Sequence, residues 1–191
     1  MKFVLHLSAL LRAGLLLAAP AWAQSDTREE SARSMALEKS AIEFSPLSPL
    51  VNIYAVQYAH RLGERNELLV GAAYANIKYD QGRSHAPTGI VGYRRYLWRK
   101  AHVEYQLWAS YNWYYENVER RYYEGAELWN EFRPGYTFDF HLGGKPIFFN
   151  IQYLIGFGLY GDESKPQSWK DQRDAEGELF TAPMVFMGWR F

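Results

Sequence analysis

The sequence predicts an all-β protein: a transmembrane, eight-stranded, antiparallel up-and-down β-barrel. Three observations predict it. Val185, Met187, Trp189 and Phe191 alternate with Phe186, Gly188 and Arg190, so the last strand runs flush to the final residue. Long segments elsewhere alternate aromatic with polar residues, the period of a strand with one apolar face. The chain carries 15 Tyr, 11 Phe and 7 Trp yet has no run of 18 apolar residues, so it cannot cross a membrane as a helix but can as strands.

The N-terminus sets the address. Lys2 and Arg12 bracket a positive region, 13–19 is a short apolar stretch, and Ala21-Trp22-Ala23 has the small-x-small form of a signal-peptidase site. Residues 1–23 are therefore expected to be a cleaved signal peptide. There is no Cys, which excludes a lipoprotein anchor, disulfides and thiolate metal sites. Removing Lys2 and Arg12 from 21 basic residues leaves 19 against 21 acidic ones. A nucleic-acid partner would need a basic stripe, and none exists. Residues 24–40 are polar and charged and read as a periplasmic segment, expected to lack fixed structure, with a short amphipathic helix as the alternative.

The strands follow in order from residue 41. Ile42 and Phe44 oppose Glu43 in a short first strand that Pro46 and Pro49 break from the next. Within 50–62, Tyr54, Val56 and Tyr58 oppose Ala55, Gln57, Ala59 and Arg61. Leu68, Val70, Ala72 and Tyr74 oppose Gly71, Ala73 and Ala75. Within 88–98, Val91, Tyr93 and Leu97 oppose Gly92, Arg94 and Tyr96, leaving Arg95 outward, where its stem snorkels to the headgroups. The clearest segment is 102–116, with Val103, Tyr105, Leu107, Tyr111, Trp113 and Tyr115 on one face and His102, Glu104, Gln106, Ser110, Asn112 and Glu116 on the other. Leu128, Phe132, Tyr136, Phe138 and Phe140 oppose Glu127, Glu131, Arg133, Thr137 and Asp139. Ile147, Phe149, Ile151, Tyr153, Ile155 and Phe157 oppose Asn150, Gln152, Gly156, Gly158 and Tyr160.

The connections alternate in length. Residues 63–66, 99–100 and 141–145 are short; 80–87, 117–125 and 161–178 are long. Short turns at one end and long loops at the other is the layout of a membrane barrel.

On this topology and its terminal aromatic strand, the region 41–191 resembles the small OmpA/OmpX-like outer-membrane barrels of Gram-negative bacteria. The resemblance implies an integral outer-membrane protein, monomeric, in contact with lipid and lipopolysaccharide. It also implies that Trp189 and Phe191 form the signal read by the outer-membrane assembly machinery. No cofactor is expected.

An eight-stranded barrel is filled by its own side chains. The register sends Arg61, Arg94, Arg133 and Arg190 inward together with Glu43, Glu104, Glu131 and Asp139. These charges are expected to pair, because a lone desolvated charge is too costly. Arg94 and Glu104 flank the 99–100 turn and should be neighbours. The expected result is a salt-bridged, plugged core; a narrow polar conduit is the alternative. Trp108, Tyr114 and Tyr160 are expected to add bulk inside.

Some barrels of this size modify lipid A, as a deacylase or a palmitoyltransferase, with Ser, His and a carboxylate near the outer leaflet. Ser110 and His102 share a face but are eight residues apart, roughly 26 Å at strand rise, too far to pair. Ser84 and His85, adjacent in the expected 80–87 loop, are the remaining candidates. No His pair has metal-ligand spacing. The loops offer binding instead: Arg120, Arg121 and Tyr122 at one tip and Trp169 in the longest loop, with cations suited to lipopolysaccharide phosphates. The expected role is therefore non-enzymatic, structural or surface-binding, with lipid modification and solute conduction as alternatives.

Overall fold

The computed structural model describes residues 38–162, 164–167, 169–171 and 179–191. The expected signal peptide and most of the 24–40 segment lie outside them. Eight strands follow one another: β1 (Ser40–Phe44), β2 (Ile53–Arg61), β3 (Asn66–Lys78), β4 (Gly82–Trp98), β5 (Ala101–Glu116), β6 (Arg121–Leu142), β7 (Lys145–Gly161) and β8 (Phe180–Arg190). Each pairs antiparallel with its sequence neighbour, and β8 returns to β1, so the sheet closes into a ring. No helix among the described residues is long and apolar enough to cross a membrane.

The ring is inverted relative to a water-soluble domain. Alternation on β5 buries His102, Glu104, Gln106, Asn112, Tyr114 and Glu116, and exposes Tyr105, Tyr111 and Trp113. Arg94 and Glu104 are 1% exposed, whereas Val70 and Ile151 are 51% and 52% exposed. The buried apolar cluster is small: Ala41, Ala59, Leu69 and Phe148. Burying ionised groups while leaving branched aliphatics outside is unfavourable in water.

Two expected loops are in large part strand. Residues 80–87 were expected to connect two strands, but β4 begins at Gly82 and pairs with β3 as far as Lys78↔Arg83. The turn is closed by Tyr79 N–H to the Gly82 carbonyl, 2.8 Å. A side chain at position 82 would strike the Tyr115 carbonyl and the Tyr114 ring, which is why glycine stands there. Likewise β6 begins at Arg121, inside the expected 117–125 loop, and pairs with β5 up to Glu116↔Arg121. Arg120 takes a left-handed φ of 55° to turn the chain. The physical reason is shared. Beyond an apolar band a strand no longer needs one greasy face, so Arg83, Arg121 and Glu124 extend hairpins that alternation cannot detect. The long connection that remains runs from 162 to 179.

β1 is the short element. It pairs with β8 only from Ala41↔Arg190 to Phe44↔Met187. A 3₁₀ turn (Ser48–Val51) then leads to β2 through Asn52, at φ 58°. Leu50, expected in a strand, belongs to this turn.

Candidate functional site: the interior charge network

The network begins as a row set by strand register. Arg61 faces Glu67, Glu67 faces Arg94, Arg94 faces Glu104, and Glu104 faces Arg133, crossing β2 to β6 with alternating sign. Directly opposed residues on adjacent antiparallel strands are close enough for side-chain pairing, so the row forms cross-strand ion pairs.

Arg94 is the hub. Its Nε donates to Glu104 Oε2 at 2.6 Å, Nη1 to Glu67 Oε2 at 2.9 Å, and Nη2 to Glu43 Oε1 at 2.7 Å. Three carboxylates from β1, β3 and β5 thus converge on one guanidinium. Arg190 from β8 reaches Glu67 at 3.0 Å and Asp139 at 3.7 Å. Arg133 bonds Glu104 at 3.3 Å and Glu131 more closely. Arg61, part-exposed at one end of the ring, lies 3.7 Å from Glu67. Asp139 also pairs with Lys100. All eight sequence-derived charges therefore lie in one connected network, and the planar, many-donor guanidinium is what lets Arg94, Arg133 and Arg190 each serve more than one acid.

Amides complete the packing. Gln106 Nε2 donates to Gln57 and to Glu104, both at 2.6 Å. Asn150 Nδ2 donates to Glu43 Oε2 at 2.9 Å, and Thr137 Oγ1 donates to Asn150 at 2.7 Å. Gln152 Nε2 reaches Glu104 Oε2 at 3.1 Å. Above this layer Trp108 donates to Gln106, and the Arg133 guanidinium lies 5.8 Å from the Trp108 ring and 5.0 Å from the Phe186 ring. Among the described residues no three His, Cys, Asp or Glu are grouped to hold a metal ion.

A second chain of contacts closes the other end over β4–β6. Ser84 donates to Asn112 at 2.5 Å, and Asn112 Nδ2 to Glu127 at 2.9 Å. Lys165, from the long connection, folds inward; its Nζ donates to the Asn112 carbonyl at 3.1 Å and sits 3.4 Å from Glu127. Burial holds the Lys165 ammonium below its ordinary pKa, against the pull of Glu127. Trp169 covers it, ring centroid 5.5 Å from Nζ.

The hydrolase pair is not assembled. Ser84 points inward to Asn112, while His85 points outward, its Nδ1 2.9 Å from the Tyr74 hydroxyl. Because 84 and 85 are successive strand residues, their side chains lie on opposite faces. Tyr160, expected inside, is exposed at the end of β7, next to a register shift at Leu128/Trp129. Trp129 takes that interior volume, against Gly156, where a side chain would strike its ring.

Arg120, Arg121 and Tyr122 are exposed. Arg121 pairs with Glu119 at 2.9 Å and stacks 4.4 Å from the Tyr123 ring. Tyr122 packs on Tyr115 across the hairpin. At the other end Phe191 donates its N–H to the Ser40 carbonyl at 2.8 Å and accepts from Ser40 N–H, while its ring and Trp189 remain exposed.

Sequence reasoning passed over Glu67, the acid shared by three arginines. Extending the Leu68–Tyr74 alternation back by one residue would have placed it inside. Gln57, Gln106, Asn150 and Gln152 were read as inward-facing but given no role. Lys165 had no signal, since it reaches the interior from a connection.

Compared with known proteins, the chain matches no family model, no curated protein and no solved structure.

Proposed function

We propose that this protein is an integral outer-membrane barrel of the small OmpA/OmpX-like kind. Its role is non-enzymatic: it stabilises the envelope or binds at the surface through its extracellular turns and its long connection. One observation carries the reading. A closed ring whose interior is ionised and whose exterior is aliphatic and aromatic is the arrangement a bilayer favours. Tyr111, Trp113, Tyr153 and Trp189 then serve as interfacial girdles. Arg120 and Arg121 stand at the outer rim, available to lipopolysaccharide phosphates. The protein acts as a monomer, and the assembly machinery receives it through Trp189 and Phe191.

The test is refolding from urea into lipid vesicles, followed by flotation on a density gradient and electrophoresis with and without boiling. The protein is expected to float, resist protease over the strands, and migrate faster unboiled. Sedimentation as soluble or aggregated protein would refute the reading. Removing residues 117–120 and 163–178 separately then reads the surface role through lipopolysaccharide binding to whole envelopes.

A further inference from the structure

The ring is closed by unequal walls. β1 has five residues between neighbours of nine and eleven. Above Phe44, residues 180–186 of β8 pair only with β7, and residues 53–55 of β2 pair only with β3. The intervening chain satisfies itself, Leu50 N–H to the Leu47 carbonyl, Asn52 N–H to Pro49 and Ser48 Oγ to Ser45. Among the described residues no hydrogen bond joins it to 180–186. The wall therefore has a lateral seam between β8 and β2.

The interior beside the seam differs from the rest. The charge layer below is sealed, and the β4–β6 side above is filled by Tyr114 and Lys165. Against β2, β3 and β8 the inward positions are Ala55, Gly71, Ala75, Ile77, Ala182 and Met184. All are part-accessible, small or apolar, and none is charged. They share their faces with the buried Gln57, Ala73 and Phe186, so the accessible space lies inside the ring. Phe186, stacked on Arg133, forms its floor.

Chemistry narrows the occupant. Against β2, β3 and β8 these positions offer no ionic or side-chain hydrogen-bonding group above Gln57, whereas Thr88, Ser110 and Glu127 face the interior from β4, β5 and β6, so the ligand is apolar along the seam side, and the narrowness of an eight-stranded interior demands a thin one. A peptide strand adding to the β8 edge is disfavoured, because Pro183 at its centre lacks the N–H that strand addition needs. Pro46 and Pro49 on the facing chain likewise remove donors that lipid would leave unsatisfied. The free edge spans seven residues, roughly 23 Å at strand rise, comparable with an acyl chain. Leu47, Leu50 and Val51 flank the seam with exposed apolar surface, continuous with the outer face.

We propose that the outer half of the ring binds one acyl chain of an envelope lipid, admitted sideways through the seam between β8 and β2. The proposal rests on the membrane reading above.

The experiment uses the refolded chain in vesicles containing a phospholipid with a diazirine near the end of one acyl chain. Photolysis and peptide mass spectrometry locate the adducts; flotation reports insertion separately. Saturable labelling is expected on Ala55, Ala182 and Met184. Ala55→Trp and Ala182→Trp each fill the space and lower interior labelling about tenfold, as overpacking excludes added volume. Val56→Trp, on the outer face, leaves it unchanged. Unboiled migration selects the folded variants. A floating protein labelled only on outward side chains overturns the proposal alone, as does undiminished interior labelling in folded Ala55→Trp and Ala182→Trp. A peptide retained on β8 without acyl adducts also overturns it, in favour of strand addition. A protein that does not float overturns the membrane reading and the proposal together.

Discussion

Replacing Arg94 by Met removes one guanidinium from three carboxylates, and the structure assigns the damage unequally. Glu67 keeps Arg190 at 3.0 Å and Arg61 at 3.7 Å. Glu104 keeps Arg133 at 3.3 Å and the amides of Gln106 and Gln152. Glu43 keeps only the Asn150 amide, at 2.9 Å, and is fully buried. The cost is therefore mainly that of one stranded carboxylate, about 3–5 kcal/mol. Glu43→Gln alone costs about 1 kcal/mol, because its carbonyl still accepts from Arg94 while two acids neutralise the cation. In the double variant the stranded charge is gone, so about 2 kcal/mol of the Arg94→Met loss returns. Urea unfolding in vesicles, followed by Trp fluorescence with the slope compared across variants, measures all three. A loss below about 1 kcal/mol for Arg94→Met, or strictly additive costs in the double variant, would refute the hub reasoning.

Three further outcomes are expected. Planar bilayers containing the protein carry no steady single-channel current, because the charge layer is packed side chain to side chain; stepwise conductance would show a through-path. Phe191→Ala lowers urea stability by about 1 kcal/mol at most, since the ring is only part-buried, yet sharply reduces folded protein in cells; equal effects in both assays would argue against a recognition role. The docked Lys165 loop binds fewer protons than the undocked one once pH exceeds the depressed pKa of Lys165, so docking strengthens as pH rises from there toward 10.5. Fluorine NMR of 5-fluorotryptophan at Trp169 reads the docked fraction; docking that weakens over that interval would contradict the burial argument.

Part of the interior was legible because it depends on parity along each strand. A one-residue slip would turn every apolar side chain of β5 inward, so alternation leaves a single facing for Glu104. The two-residue turn at 99–100 then brings Arg94 within one residue of Glu104, and the register shift between Tyr96 and Trp98, which the sequence did not reveal, sets the two directly opposite. Where parity was neglected, at Glu67, the central acid was overlooked. Where alternation ceases to matter, beyond the apolar band, strand was mistaken for loop at Gly82 and Arg121. That error also made Ser84 and His85 look like partners, when the pleat holds them on opposite faces.

By itself the sequence determined the strand order and which side of most strands faces inward, and so which charges share the interior. These are local consequences of a period of two and of short turns. Only the tertiary structure decided that Glu43 meets Arg94 across 51 residues and that Arg190 meets Glu67 across 123. It also decided that Lys165 fills one end and that β1 stops short and leaves a seam beside β8. Contacts of this kind depend on how far each strand is staggered when the ring closes, a property of all eight strands at once that no single segment encodes.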